Sequence, residues 1–239
     1  MTLSDQQRLD EALEQLKVIR FNVEAFRGCL LDEVSADTDP ITPKVAFKLL
    51  AYREALSWRA VELGEAAESS IQSGNYLSGV VLTRSLLECA AAYHFLCKKL
   101  RKCIDADSVE ELDEAAMKLL LGSRWDDWEF GPTNILTMID GANKECPGIR
   151  ENYDLLSEYA HPNYSGVARI FSEPGDALGF RFGRYVRGRG LMALTATNSL
   201  TAALMLFEHY YNSSAELFPK IVQLCHRDLE TNLNRSSQP

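Results

Sequence analysis

The chain reads as all-α, an irregular helical bundle with a small β-hairpin insert, and three observations carry that prediction. Apolar residues recur every three or four positions over most of its length, the mark of helices with one buried side. Capping residues and prolines punctuate those runs at helical intervals. One stretch alone, about residues 165–187, switches to β-branched and aromatic runs around a Pro-Gly pair. No repeat and no long linker divides the rest, so residues 1–239 read as a single helical domain with a frayed tail at 235–239.

Taken in order, Ser4 and Gln7 form a capping box for a first helix to about Val34, with Leu9, Leu13, Leu16, Ile19, Val23, Phe26 and Leu30 on its inner side. Residues 35–40 read as a turn. Thr42 then caps a second helix with Pro43 at its first position, where proline's missing amide costs nothing, and Gly74-Asn75 ends it. A third helix over 76–103 is apolar or small at almost every position, so it is buried on several sides. Its basic run, Lys98, Lys99, Arg101 and Lys102, suits a helix C-terminus. Ser108 and Glu111 offer a second capping box within an acidic lobe, 105–129, which holds nine acids against Lys118 and Arg124. Trp125 and Trp128 are expected to staple that lobe to the body. Pro132-Thr133 and Pro147 start two short helices ending near Asn143 and Ala160. The hairpin follows, with strands at 165–171 and 178–186 joined through 172–176. Two last helices are expected at 191–216 and 219–232, parted by Pro219.

Composition narrows the function. The 239 residues are 46% apolar and 25% charged, a globular balance that argues against fibrous, disordered and disulfide-scaffold proteins. A net charge of −9 argues against a general nucleic-acid coat. Asp5, Arg8, Asp10, Glu11 and Glu14 interrupt any signal-peptide core. Six cysteines without a C-x-x-C pair are expected to be reduced thiols of a cytoplasmic protein, with no metal and no cofactor implied. Residues 190–207 carry no charge over 18 positions, but Thr195, Thr197, Asn198, Ser199 and Thr201 cluster there, which fits a core helix and no membrane partner. Signatures of P-loops, dinucleotide folds, serine hydrolases and zinc proteases are missing.

Three constellations could carry chemistry. Arg84 and Glu88 share one helix face in the register Leu77, Val81, Ala91, Phe95, where a charged pair must be desolvated. They form either a structural ion pair or a pre-organised polar site. Glu158 and His161 fall on a helix's last turn before Pro162, beside Tyr159 and Asn163. There the imidazole either caps carbonyls or serves as a general acid or base. Glu158-x-x-His161 is half of a di-iron motif, and no second copy exists. In the hairpin, Arg169, Arg181, Arg184, Arg187 and Arg189 interleave with Phe171, Phe180, Phe182 and Tyr185. That local excess of positive charge could grip phosphates and stack bases, or pair with the acidic lobe of a neighbouring subunit.

The segments Thr83-Arg84-Ser85-Leu86-Leu87-Glu88 and Leu156-Ser157-Glu158-Tyr159-Ala160-His161-Pro162-Asn163 together resemble a group of bacterial helical proteins distantly related to the HEPN superfamily, over roughly residues 50–215. The resemblance implies a helical bundle that is often dimeric, and in many members a metal-independent ribonuclease of toxin–antitoxin or phage-defence systems. That superfamily's signature, an Arg followed by four to six residues and a His, is absent: Arg84 precedes His94 by nine intervening residues and Arg150 precedes His161 by ten. What carries over is a shared polar site of Arg84, Glu88 and His161, with Arg84 on a phosphate and His161 moving protons.

Two readings of function follow. In one, the chain is a homodimer directed at RNA or a nucleotide. Catalysis falls to Arg84, Glu88, Glu158 and His161, and substrate contacts to Arg169, Arg181, Arg184, Tyr159 and Asn163. In the other, it is a non-catalytic interaction or regulatory module whose Arg-Glu-His cluster is structural.

Overall fold

The computed structural model describes residues 3–125 and 129–236. Its helices are α1 (Asp5–Arg27), α2 (Lys44–Gln72), α3 (Tyr76–Asp105), α4 (Leu112–Leu121), α5 (Ile135–Glu145) and α6 (Ile149–Ala160), then the three-residue α7 (Arg169–Phe171) and the long α8 (Arg189–Ser236). A π-helical turn, Tyr164–Ala168, precedes α7, and strands β1 (Ser172–Pro174) and β2 (Phe180–Phe182) follow it. The all-α bundle with a small hairpin is therefore what the chain forms.

α3 is the central post, packed by α2, α5, α6 and α8. Its small residues allow this: Ala90, Ala91 and Cys97 are fully buried, and so are the larger Leu100, Tyr93 and His94. Both α3 and α8 are long and apolar enough to cross a bilayer, but 67% and 61% of their most apolar windows are buried within the fold. Packing against neighbouring helices accounts for that apolarity.

The Ser4–Gln7 capping box forms as the sequence predicts, with both reciprocal bonds present. Other boundaries move, each for a local reason. α1 stops at Arg27 because Gly28 caps it, and Leu31 beyond is half exposed. Thr42 does not cap α2: its hydroxyl bonds that of Thr38 at 2.9 Å, and Pro43 takes the cap position with extended backbone. Ser108 caps nothing helical either. It accepts from the Glu110 amide at 3.3 Å, and α4 begins after Glu111. Asn134, not Thr133, caps α5 through the Leu136 amide at 2.9 Å. Trp125 is 81% exposed and staples nothing, while Trp128 lies outside the described residues.

The largest corrections come late in the chain. The expected strand over 165–171 is helical, and the strands shrink to three residues each, paired Ser172↔Phe182, Glu173↔Arg181 and Pro174↔Phe180. Gly166 explains the change: it folds back so closely that a Cβ there would meet the His161 carbonyl oxygen at 2.1 Å. Pro219 does not divide α8, which runs 48 residues with the proline inside it. The hydrogen bond lost there is offset by burial of Phe218, Ile221 and Leu224 beside it.

α8 also takes its N-terminal cap from far away. The Asp5 carboxylate accepts from the Gly190 amide at 3.0 Å and the Leu191 amide at 3.2 Å, and it places negative charge at the positive end of the helix dipole. Gly190 makes the approach possible, since a Cβ there would stand 1.9 Å from the Asp5 carbonyl oxygen. Four of the six cysteines, Cys89, Cys97, Cys103 and Cys225, are buried as expected of apolar thiols. Cys146 is half buried and Cys29 exposed. Burial pushes the Cys89, Cys97 and Cys225 thiols up to about 11.

Candidate functional site: a closed polar clamp and an open apolar groove

α3 and α6 pack together as the shared-site idea requires, but they bring Arg84 and Glu88 to Tyr153 and Ser157 instead of His161. Arg84 Nε donates to Ser157 Oγ at 2.9 Å and its Nη2 to the Tyr153 hydroxyl at 2.6 Å. Tyr153 in turn donates to Glu88 Oε1 at 3.0 Å, and Arg84 Nη2 lies 3.3 Å from the same oxygen. The guanidinium also sits 4.8 Å from the Tyr153 ring centroid. Burial and the Glu88 carboxylate raise the Tyr153 phenol above its ordinary range, which keeps it a donor. Every member of this clamp bonds another member. The pair is not fully desolvated as the register suggested: its side chains keep 31% and 25% of their exposure, and Val81 in the same register is exposed.

His161 stands apart. It is the C-cap of α6, with extended backbone and its amide on the Ser157 carbonyl at 3.1 Å, so Pro162 ends the helix as predicted. Its side chain is exposed and has no hydrogen bond among the described residues, so it caps no carbonyl. Asn163 holds the chain reversal. Its Oδ1 accepts from the Gly166 amide at 3.0 Å, and its Nδ2 donates to Glu158 Oε2 at 2.8 Å. Glu158 thereby faces the turn and not Arg84. Tyr159 is a core residue, 5% exposed, lying beside Arg169, Ile170 and Tyr185.

The arginines of the hairpin divide into two groups. Arg184 Nη1 reaches Asn75 Oδ1 at 3.2 Å, Arg187 Nε donates to the Ser172 carbonyl at 2.8 Å, and Arg189 Nε contacts the Tyr76 hydroxyl at 3.3 Å. The first and third of these bonds, on Asn75 and Tyr76, tie this region to the start of α3, where the Leu77 amide also donates to the Tyr185 hydroxyl at 3.1 Å; the second is internal to the insert. Arg181 pairs across the strands with Glu173 at 3.3 Å while 72% exposed, and Arg169 is exposed.

Sequence reasoning missed three features. The first is a deeper charged network. Arg53 is 8% exposed, pairs with Glu54 and donates from Nε to Ser214 Oγ at 2.9 Å. It stacks 4.4 Å over the Tyr211 ring. Burial opposes the Arg53 charge, but Tyr93, Glu54 and Tyr211 outweigh it and raise its pKa. Burial pushes the neighbouring Tyr93 phenol up to about 12. The second is His94, packed against Gly141 with its Nε2 3.1 Å from Glu145 Oε1. The contact lacks the alignment of a hydrogen bond. Burial works against the Glu145 charge, but His94 and Arg101 outweigh it and lower its pKa.

The third is a groove of about 690 Å³ between α6 and α8, floored by Leu87 of α3. Its apolar wall is Pro147, Ile149, Leu155, Ala202, Met205 and Leu206, and its polar groups are Cys146, Asn152, Thr195, Asn198, Ser199 and His209. Among the described residues no Asp, Glu, Lys or Arg lines it. Ser199 Oγ donates to Asn152 Oδ1 at 2.8 Å, which fixes the amide across the groove. The polar cluster of residues 195–199 gave the signal: Thr195, Asn198 and Ser199 line the groove, whereas the Thr197 hydroxyl turns back to the Ala193 carbonyl at 3.2 Å.

Among the described residues no group of three or more His, Cys, Asp and Glu is placed to hold a metal ion. Comparison with family models, with curated proteins and with solved structures finds no match for this chain.

Proposed function

We propose that the chain is a non-catalytic helical interaction module whose groove between α6 and α8 takes an uncharged, largely apolar ligand or segment. One observation carries the reading: a groove of about 690 Å³ without a charged side chain, in a protein that is one quarter charged. The clamp supports it from the other side, because Arg84 and Glu88 satisfy each other through Tyr153 and Ser157 and have no free partner role toward a reacting group. The test is a titration of the neutral dye Nile red with dilute protein, comparing wild type with Leu155→Glu. Leu155 is 44% exposed, so the variant keeps its fold, which circular dichroism checks. Saturable binding by wild type, weakened about tenfold or more when a carboxylate enters the groove, is the expected result. Equal binding by both proteins rejects the reading.

A second reading follows the HEPN resemblance, a protein directed at RNA or a nucleotide. A separate observation favours it: His161 and Arg169, on either side of the π-helical turn, and Arg181 are all exposed. In that reading His161 would work without Arg84, beside exposed cations. Identical degradation profiles of total RNA with wild type and His161→Ala would exclude the nuclease version.

A further inference from the structure

We propose that the groove between α6 and α8 is filled by the hairpin of a second copy of this chain, and that two copies exchange hairpins reciprocally. The inference rests on the groove reading above and names its occupant.

The hairpin presents an apolar face that no described residue covers. Side chains two apart on a strand share a face, so Phe180 and Phe182 stand together, with Pro174 opposite Phe180. They are 62% and 80% exposed, and Leu178 at the turn is fully exposed. Leu178 also holds φ +64, a left-handed conformation that a branched side chain adopts at a cost. Three large apolar side chains held outward on a short ribbon form the kind of contiguous patch that marks an interaction site.

A chain cannot cover its own groove with its own hairpin. The hairpin is tied to the start of α3 by Arg184 on Asn75 and by Tyr185 on the Leu77 amide. The groove floor, Leu87, lies ten residues further along the same helix, about 15 Å away at 1.5 Å per residue. A second copy has no such tether.

Charge matches the fit. The groove is uncharged inside, while exposed Glu151 stands one turn before Leu155 and exposed Glu208 one turn after Met205. The cations beside that tip are exposed Arg181 on β2, which Glu173 engages at 3.3 Å, and exposed Arg169 on α7, while Arg184 and Arg187 are held by Asn75 and the Ser172 carbonyl. Apolar tip into apolar groove, with arginines meeting the rim carboxylates, makes a contact that is complementary at both levels. Because each copy owns one tip and one groove, two contacts related by a two-fold axis close the assembly at a dimer.

Sedimentation of the full chain tests this, with two sets of exposed-site substitutions that circular dichroism will show to be folded. One is a tip variant, Leu178→Asp with Phe182→Ser; the other is a groove variant, Leu155→Glu with Met205→Glu. The wild type is expected at twice the monomer mass, and each variant alone at the monomer mass. An equimolar mixture of the two is expected to form heterodimers, since the groove variant supplies an intact tip and the tip variant an intact groove. The tip variant, its groove vacated, should take up Nile red at every protein concentration, and the wild type only when dilute. A monomeric wild type, dimers that survive both variants, or a mixture that stays monomeric would overturn the exchange. If the tip variant still binds the dye in any of those cases, the groove reading stands and the exchange alone fails. If the tip variant binds no dye, the groove reading fails with it. Tip substitutions that abolish binding to RNA while leaving self-association unchanged would also overturn the exchange.

Discussion

Two Arg–Glu pairs reach out from neighbouring helices, and they are built to opposite rules. Arg53 and Glu54 are adjacent on α2, both under one-tenth exposed, and held by Ser214 and Tyr211 of α8. Arg84 and Glu88 are one turn apart on α3, a quarter to a third exposed, and held by Tyr153 and Ser157 of α6. In the deep pair Glu54 Oε2 has no hydrogen-bond partner among the described residues, so its charge depends on Arg53. In the shallow pair Glu88 keeps Tyr153 if Arg84 is removed. A charged pair is therefore not one kind of feature. Its consequence follows from what remains bonded when one half is lost.

That contrast can be broken or sharpened by experiment. The largest effect should come from Arg53→Ala, which strands a buried carboxylate and is expected to lower unfolding free energy by about 3–5 kcal/mol in urea titrations. A loss under about 1 kcal/mol would show that α8 rearranges to rescue Glu54. Arg84→Ala should cost about 2 kcal/mol, because two hydrogen bonds go but Glu88 remains bonded and partly solvated. Finding the two losses equal would erase the distinction. The smallest effect concerns Glu145, which faces buried His94 while its own side chain is 44% exposed. Its pKa is held below the ordinary 4.5, so its contribution is fully present above that pH and is lost as the pH falls through its folded value. Stability measured across pH 3 to 6 should show a shallower acid limb in Glu145→Gln, by about 0.5 kcal/mol once solvent screening is allowed for. An unchanged acid limb would assign the low-pH loss to other carboxylates.

How much of this was legible in the sequence depends on the range of the forces involved. Helix periodicity and the Ser4–Gln7 box act within a turn or two, and they read correctly. Pro219 and residues 165–171 were misread because distant contacts overrode the local rule. Burial of Phe218 and Ile221 keeps α8 continuous through its proline, and the approach of Gly166 to the His161 carbonyl turns a β-like segment into a helical one. The Arg84–Glu88 pair was found by its register, but its partners were not, since Tyr153 and Ser157 lie 69 and 73 positions away from Arg84. The deeper pair left a trace that periodicity could have shown: Ala46, Leu49, Arg53, Leu56 and Ala60 recur every three or four residues, and all five are buried. His161 drew attention as an ionisable group at a helix end, and it is the member of the cluster that the packing leaves outside.

The cap that Asp5 places on α8 bears on how the chain comes together as it is made. A helix that starts at residue 189 receives its first bonds from a side chain synthesised 185 positions earlier. α1 and α2 both lay their inner sides on α8, so neither has its final neighbour until the last stretch of chain leaves the ribosome. Until then the apolar stripe Ala12, Leu16, Ile19 and Val23 has only α2 against it, and a chain halted before residue 189 leaves open the part that α8 covers, together with the matching faces of α2 and α3. Such a fragment is a client for chaperones and a seed for aggregation, not a smaller working bundle.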